Sequence, residues 1–360
     1  MGKLDGYICS VPFHAIEMHE TKRFLCCASW LTRYLPENTN IKDAWESEEA
    51  NKVRASILDG SYKYCNSKQC PFINQIVHSG NPAPYSPIAK KEQHTTQVKS
   101  AVQEFETHGK LLRGPKMVQF SFDSSCNLKC PSCRIEMIMS SGEKIKKSEK
   151  EISTIQELYG NSITSLYITG TGDPFVAVAF RKFLRDFDKS QWPVLKRIHL
   201  HTNATRWTKE MWESMPGVHP YVKSCEISID AATKDTYENK TRLNGNWDDL
   251  IQNLQFISTI PNLHSVKTSF VVQKANYKEI PLFVELVESI FKQSRKEIRI
   301  FFGRITNWGT FTEEEFKEEN IFDTDHPEHQ EFLKVMRDLK YHPRVLHNFY
   351  DILKRKTVLI

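Results

Sequence analysis

The sequence predicts an α/β fold, a partial (β/α)6 barrel with a small cysteine-rich segment ahead of it. Three observations predict this. Six short runs rich in Ile, Val, Leu, Phe and Tyr recur from residue 116 onward, as strands do. Polar–apolar stretches long enough for helices separate them. The nine cysteines are bunched: five fall within residues 9–70, three within 126–133, and Cys225 stands alone.

Residues 1–80, broken by Pro and Gly, are expected as the first domain. Residues 81–112 follow as linker and helix. The proline density of Asn81-Pro82-Ala83-Pro84-Tyr85-Ser86-Pro87 marks the linker, and Val98, Val102 and Phe105 share one face of a helix over 96–110. The barrel is expected over 113–311. Its strands are Met117–Phe122, Ser165–Thr169, Arg197–Thr202, Cys225–Ile229, Val266–Val272 and Ile298–Phe302, with helices such as Val176–Lys189 and Trp247–Ile260 between them. Strands alternating with helices predict a parallel sheet with right-handed crossovers. Six units suit an open or partial barrel better than a closed eight-fold one. In such sheets ligands sit at the carboxyl ends of the strands. Residues 312–360 are strongly charged and are expected as a helical tail.

The chain has 360 residues, 39% hydrophobic and 26% charged, enough for a sizeable core. A net charge of +5 points away from nucleic acid, which leaves a stronger and more clustered basic signature. The run Lys144–Lys150 reads as a solvated helix face. No stretch reaches the ~18 apolar residues of a membrane span. Met1–Asp5 lacks the apolar core of a signal peptide, and Gly6 stands where myristoylation wants Ser or Thr. The cytosol is therefore the expected compartment. There, bunched cysteines suggest metal rather than disulfides.

Directly after the first strand comes Cys126-Asn127-Leu128-Lys129-Cys130-Pro131-Ser132-Cys133. Three thiolates can bind three irons of a cubane and leave the fourth open to a cofactor. The alternatives are a structural zinc site, which normally wants four ligands, and buried unliganded thiols.

Cys-x-x-x-Cys-x-x-Cys after the first strand of a six-unit barrel resembles the radical S-adenosylmethionine superfamily. Ser132 stands where that family commonly has an aromatic residue. The resemblance implies a 4Fe–4S cluster on Cys126, Cys130 and Cys133, with S-adenosylmethionine on its open iron. Thr169-Gly170-Thr171-Gly172-Asp173-Pro174 is similar to the family's Gly-Gly-Glu-Pro segment, which implies that Gly170, Gly172 and Asp173 meet the amino group of the methionine moiety. Asn203, after the third strand, would line the pocket. Ser228 and Asp230, at the end of the fourth, would meet the ribose hydroxyls, and Arg242 the cofactor carboxylate. Asn276 and Asn307 are pocket candidates with turn roles equally open.

Ile41–Ser47, Glu48–Leu58 and Gly60–Pro71 resemble the auxiliary-cluster extension called the SPASM or twitch domain, here placed before the barrel. This implies a second 4Fe–4S cluster on Cys9, Cys65, Cys70 and one of the pair Cys26 and Cys27, with Cys26 favoured by the family's consensus. A four-cysteine zinc site is the alternative, since spacing alone does not separate the two metals. Cys225 reads as a buried structural thiol, and Asp325-His326-Pro327-Glu328-His329 as a helix start rather than a ligand pair.

The resemblance implies an enzyme that reductively cleaves S-adenosylmethionine and abstracts hydrogen from a peptide or carbohydrate. Its electron donor would be a ferredoxin or flavodoxin. The competing reading is a non-catalytic zinc or iron–sulfur module, acting on nucleic acid.

Overall fold

The computed structural model describes residues 4–28, 30–82, 86–339 and 342–353. The N-terminal Met1-Gly2-Lys3, residues 83–85 of the expected linker and residues 354–360 of the expected tail lie outside the described residues. The chain divides into two compact units.

The first unit takes in residues up to Asp123, Gly142–Gly170 and Asp188–Arg197. Its elements are β1 (Tyr7–Cys9), β2 (Ala15–His19), β3 (Arg23–Phe24), α1 (Ile41–Glu46), α2 (Glu48–Leu58), α3 (Pro71–Ser79), β4 (Ile88–Lys90), α4 (Thr96–His108), β5 (Met117–Ser121), α5 (Glu143–Tyr159) and β6 (Ser165–Ile168). Polar residues start the helices where the sequence offers them. Asn40 caps α1, Ser47 caps α2 and Thr95 caps α4, each accepting a backbone N–H of the first turn.

The segment 1–80, expected as a domain of its own, shares this unit with β5 and β6. Strand β2 pairs in parallel with β5, from Ala15 opposite Met117 to His19 opposite Ser121, and β3 pairs antiparallel on its far side. The physical reason is edge protection: without β2, one side of β5 would present unpaired N–H and C=O groups. The expected linker likewise carries a strand, β4, which pairs antiparallel with β1. Arg54 of α2, 0% exposed, anchors the segment by donating to the carbonyls of Pro12 and Trp45 at 2.9 and 3.0 Å. Burial lowers its pKa to about 9.

The second unit takes in Ser124–Ser141, Thr171–Phe187 and the residues from Ile198 onward. Its elements are α6 (Val178–Arg185), β7 (Arg197–Thr202), α7 (Lys209–Glu213), β8 (Val222–Ser228), α8 (Lys234–Thr236), α9 (Trp247–Thr259), β9 (Ser265–Val272), α10 (Ile280–Ile290), β10 (Glu297–Arg304), α11 (Glu313–Glu319), α12 (His329–Leu339), β11 (Val345–His347) and α13 (Tyr350–Leu353). The five strands run parallel in the order β7-β8-β9-β10-β11. Leu200, Ile227, Phe270 and Phe302 are completely buried along them, as expected where helices cover a parallel sheet. The charged C-terminal segment does more than form helices. Its Val345-Leu346-His347 adds an edge strand beside β10.

The fold is thus α/β with largely parallel strands, and the cysteine triplet follows the carboxyl end of β5. Among the described residues, no helix is long and apolar enough to cross a membrane.

Candidate functional site

The cysteine loop is folded back on itself by its backbone. Cys126 donates its N–H to the Ile138 carbonyl at 2.8 Å, and the amides of Cys133 and Arg134 both donate to the Cys130 carbonyl at 2.9 Å. Lys129 N–H reaches the Leu243 carbonyl at 2.9 Å, tying the loop to the segment after α8. Cys126 and Cys130 are buried and Cys133 is exposed.

Each of the three sulfurs meets an N–H donor. Asn203 Nδ2 lies 3.5 Å from Cys126 Sγ, Arg242 Nη1 3.4 Å from Cys130 Sγ, and Arg134 Nη2 3.6 Å from Cys133 Sγ. Arg134 is itself fixed by the carbonyls of Ser124 at 2.8 Å and Thr171 at 2.5 Å. Burial pushes the Cys126 thiol up, and pushes Cys130 up to about 11 against the pull of Arg242.

Behind each buried thiol stands a carboxylate that holds its donor. Asp173 is 0% exposed and accepts from Thr202 Oγ1 at 2.7 Å, Asn203 N at 2.8 Å and Phe175 N at 2.9 Å. Burial raises its pKa against those three donors. Asp230 pairs with Arg242 at 2.6 Å and accepts from Val271 N at 2.7 Å. Burial raises the Asp230 carboxyl, while Asp230 and Cys130 outweigh burial at Arg242 and keep that guanidinium charged.

Two residues beside these groups hold left-handed backbone, Ala204 at φ 62° and Asp230 at φ 60°. Non-glycine residues in that region are strained and collect at functional sites. Asn253 Nδ2 holds the Ala204 carbonyl at 2.9 Å, and Asn276 Nδ2 the Asp230 carbonyl at 3.0 Å.

The structure therefore joins six of the expected site residues in two chains, Cys126–Asn203–Asp173 and Cys130–Arg242–Asp230, with Cys133 on the same loop. It does not join Ser228 to them. The Ser228 hydroxyl is 3.0 Å from His201 Nε2 and 3.2 Å from Ser269 Oγ. Gly172 precedes Asp173 directly. Gly170 belongs to the first unit, where an added Cβ would stand 2.5 Å from Gln119 Nε2 and 3.0 Å from Ser121 Oγ.

Sequence reasoning missed Arg134 and Asn127, whose Oδ1 accepts from Asn203 Nδ2 at 3.1 Å. Adjacency to Cys126 and Cys133 was their only signal. Asn276 supports Asp230 from behind, and Asn307 bonds within its own turn, to Gly309 N and Phe311 O. His326 Nε2 donates to the Glu318 carbonyl of α11 at 2.9 Å, and His329 Nδ1 donates to the Ile321 carbonyl at 2.8 Å. Cys225 is buried inside β8.

In the first unit, Cys9 ends β1, Cys26 follows β3, Cys65 bridges Leu31, and Cys70 precedes α3. Cys70 lies within electrostatic range of Cys9, Cys26 and Cys65. Burial raises all four thiols, Cys65 to about 12.

Among the described residues, no three His, Cys, Asp or Glu side chains are gathered as they would be around a single metal ion. A cubane makes a different demand, because each thiolate goes to a different iron.

No protein-family description matches the chain, and no curated protein matches it. Solved structures do. SuiB of Streptococcus suis bound to S-adenosylmethionine is 14% identical, with 81% of this chain and 63% of that one covered and a TM-score of 0.45. SuiB bound to the precursor peptide SuiA is 14% identical, with 72% and 53% covered and a TM-score of 0.40. TYW1 with a lysine–pyruvate adduct is 15% identical, with 63% and 74% covered and a TM-score of 0.38. The chain spans 53% to 63% of the length of these SuiB chains.

Proposed function

We propose that this chain is a radical S-adenosylmethionine enzyme whose 4Fe–4S cluster is held by Cys126, Cys130 and Cys133. One observation carries the reading. All three sulfurs of the loop meet N–H donors, two of them guanidinium groups, and the neighbouring carboxylates Asp173 and Asp230 hold Asn203 and Arg242 in place. That donor set suits a sulfur-ligated group with net negative charge and leaves one position open. A closed zinc site would need a fourth protein ligand.

Cys126, Cys130 and Cys133 would hold a cluster that supplies the chemistry of reductive S-adenosylmethionine cleavage and hydrogen abstraction from a substrate. The chain's own residues bind and orient. Asn203 and Arg242 fix the sulfurs of Cys126 and Cys130, and Arg134 that of Cys133. Gly170, Gly172 and Asp173 are proposed for the methionine amino group. Ser228 and Asp230 are proposed for the ribose, with Arg242 for the cofactor carboxylate. The strands are proposed to form a partial barrel around these groups.

Cys9, Cys26, Cys65 and Cys70 are proposed to hold an auxiliary 4Fe–4S cluster. The electrostatic range of Cys70 to Cys9, Cys26 and Cys65 supports this, and four thiolates leave no iron open, which favours electron relay or structure. The substrate class is a peptide or carbohydrate, and the electron donor a ferredoxin or flavodoxin.

The test is a Cys126→Ala, Cys130→Ala, Cys133→Ala variant. It should keep about four irons, those of the auxiliary cubane, and form no 5′-deoxyadenosine. Retained cleavage refutes the assignment.

A further inference from the structure

Tyr237 is 0% exposed, and its hydroxyl has no hydrogen-bond partner among the described residues. Buried hydroxyls almost always find a partner, so an orphan asks for an explanation. A second buried donor, Arg242 Nε, also has no partner among the described residues. The two residues sit at the ends of one π-turn, Tyr237–Thr241, where Arg242 N–H donates to the Tyr237 carbonyl at 2.8 Å. Single π-turns of this kind recur at functional sites.

The ring is held from two sides. A Cβ on Gly245 would come within 2.4 Å of its Cε1, so the glycine is what lets the ring lie there. Trp247 packs against it at 5.5 Å and 60°. The ring is fixed firmly while its polar atom lacks an acceptor among the described residues.

What surrounds it narrows the choice. Arg242, Cys130, Asp230 and Cys126 lie within electrostatic range of the hydroxyl. Asp230 already accepts from Arg242 and Val271. A phenol donates through its O–H, and Arg242, whose backbone N–H holds the Tyr237 carbonyl at 2.8 Å, sets its Nη1 3.4 Å from Cys130 Sγ, so the hydroxyl needs an acceptor on the cysteine side.

We propose that the Tyr237 hydroxyl donates a hydrogen bond to a sulfur of the iron–sulfur group held by Cys126, Cys130 and Cys133, and so raises its reduction potential. This rests on the function proposed above. Hydrogen bonds to cluster sulfurs favour the reduced, more negative state. Tyr237 is thus a tuning and positioning residue.

The experiment compares reconstituted wild type with Tyr237→Phe, which keeps the ring and removes only the donor. Iron and sulfide are counted, and the cluster signal that responds to added S-adenosylmethionine is followed by electron paramagnetic resonance through a redox titration without the cofactor. The expected result is equal iron content, a more negative midpoint potential and an altered signal. Gly245→Ala, which pushes on the ring, should shift the potential the same way. An unchanged potential in Tyr237→Phe overturns the inference and leaves the enzyme assignment standing. So does a variant altered only in its affinity for S-adenosylmethionine, which would put the acceptor on the cofactor. Loss of the cluster from Tyr237→Phe alone would make the residue structural and overturn it too. A wild type that takes up no cluster overturns both proposals.

Discussion

One guanidinium ties the end of β8 to the cysteine loop: Arg242 Nη2 lies 2.6 Å from Asp230 Oδ2 while Nη1 lies 3.4 Å from Cys130 Sγ. The pair is buried, so its partners are not separable. Removing the cation alone leaves a carboxylate with no charge to face, a loss of about 3–5 kcal/mol for such pairs. Arg242→Met should therefore lower stability by an amount of that order in urea titrations, and Arg242→Met with Asp230→Leu should recover part of it. Additive losses would show that the two residues are not coupled.

Asp173 works through its neighbours. It is the common acceptor for Thr202, Asn203 and Phe175, and Asn203 in turn reaches Cys126. Asp173→Ala orphans three buried donors at about 1–3 kcal/mol each, softened by local rearrangement. A fall of several degrees in melting temperature is expected, with weaker retention of the site iron during gel filtration. Wild-type iron retention in this variant would contradict the role given to Asp173.

The acid limb of stability has a named contributor. Glu226 and Lys267 are cross-strand neighbours on β8 and β9, 2.5 Å apart. Burial pushes Glu226 up, but Lys267 and His201 pull it further down, to about 2. A depressed carboxylate stabilises the fold fully above its ordinary value near 4.5 and loses that contribution as pH falls toward about 2. Glu226→Gln should be less stable than wild type at neutral pH, with the gap closing through this window in circular dichroism melts. A gap that stays constant with pH would contradict the ion pair.

Cys26 lies within electrostatic range of both Cys9 and Cys70. Cys26→Ala should lose about four of eight irons, and Cys27→Ala should keep them. The reverse pattern would move the ligand by one residue.

These residues also show what could be read in advance. The six apolar runs became β5 to β10 with boundaries shifted by a few residues, because burial on both faces writes itself into composition. Ala15-Ile16-Glu17-Met18-His19 wrote nothing comparable. It is short and carries Glu and His, and its place in the sheet depends on the open edge of β5, a hundred residues away in sequence. The cysteine spacing announced the loop. Arg134 and Asn127 could not be read, because a donor aimed at a sulfur is a matter of rotamer and backbone fold, not of periodicity. Tyr237 is one aromatic among many in the sequence; only the structure shows its hydroxyl buried with no partner among the described residues.

The central claim is tested most directly by anaerobic reconstitution followed by reduction in the presence of S-adenosylmethionine. A brown protein with about eight irons per chain, four per cubane, that forms 5′-deoxyadenosine is the predicted result. A colourless, zinc-loaded protein that forms no nucleoside product would contradict it.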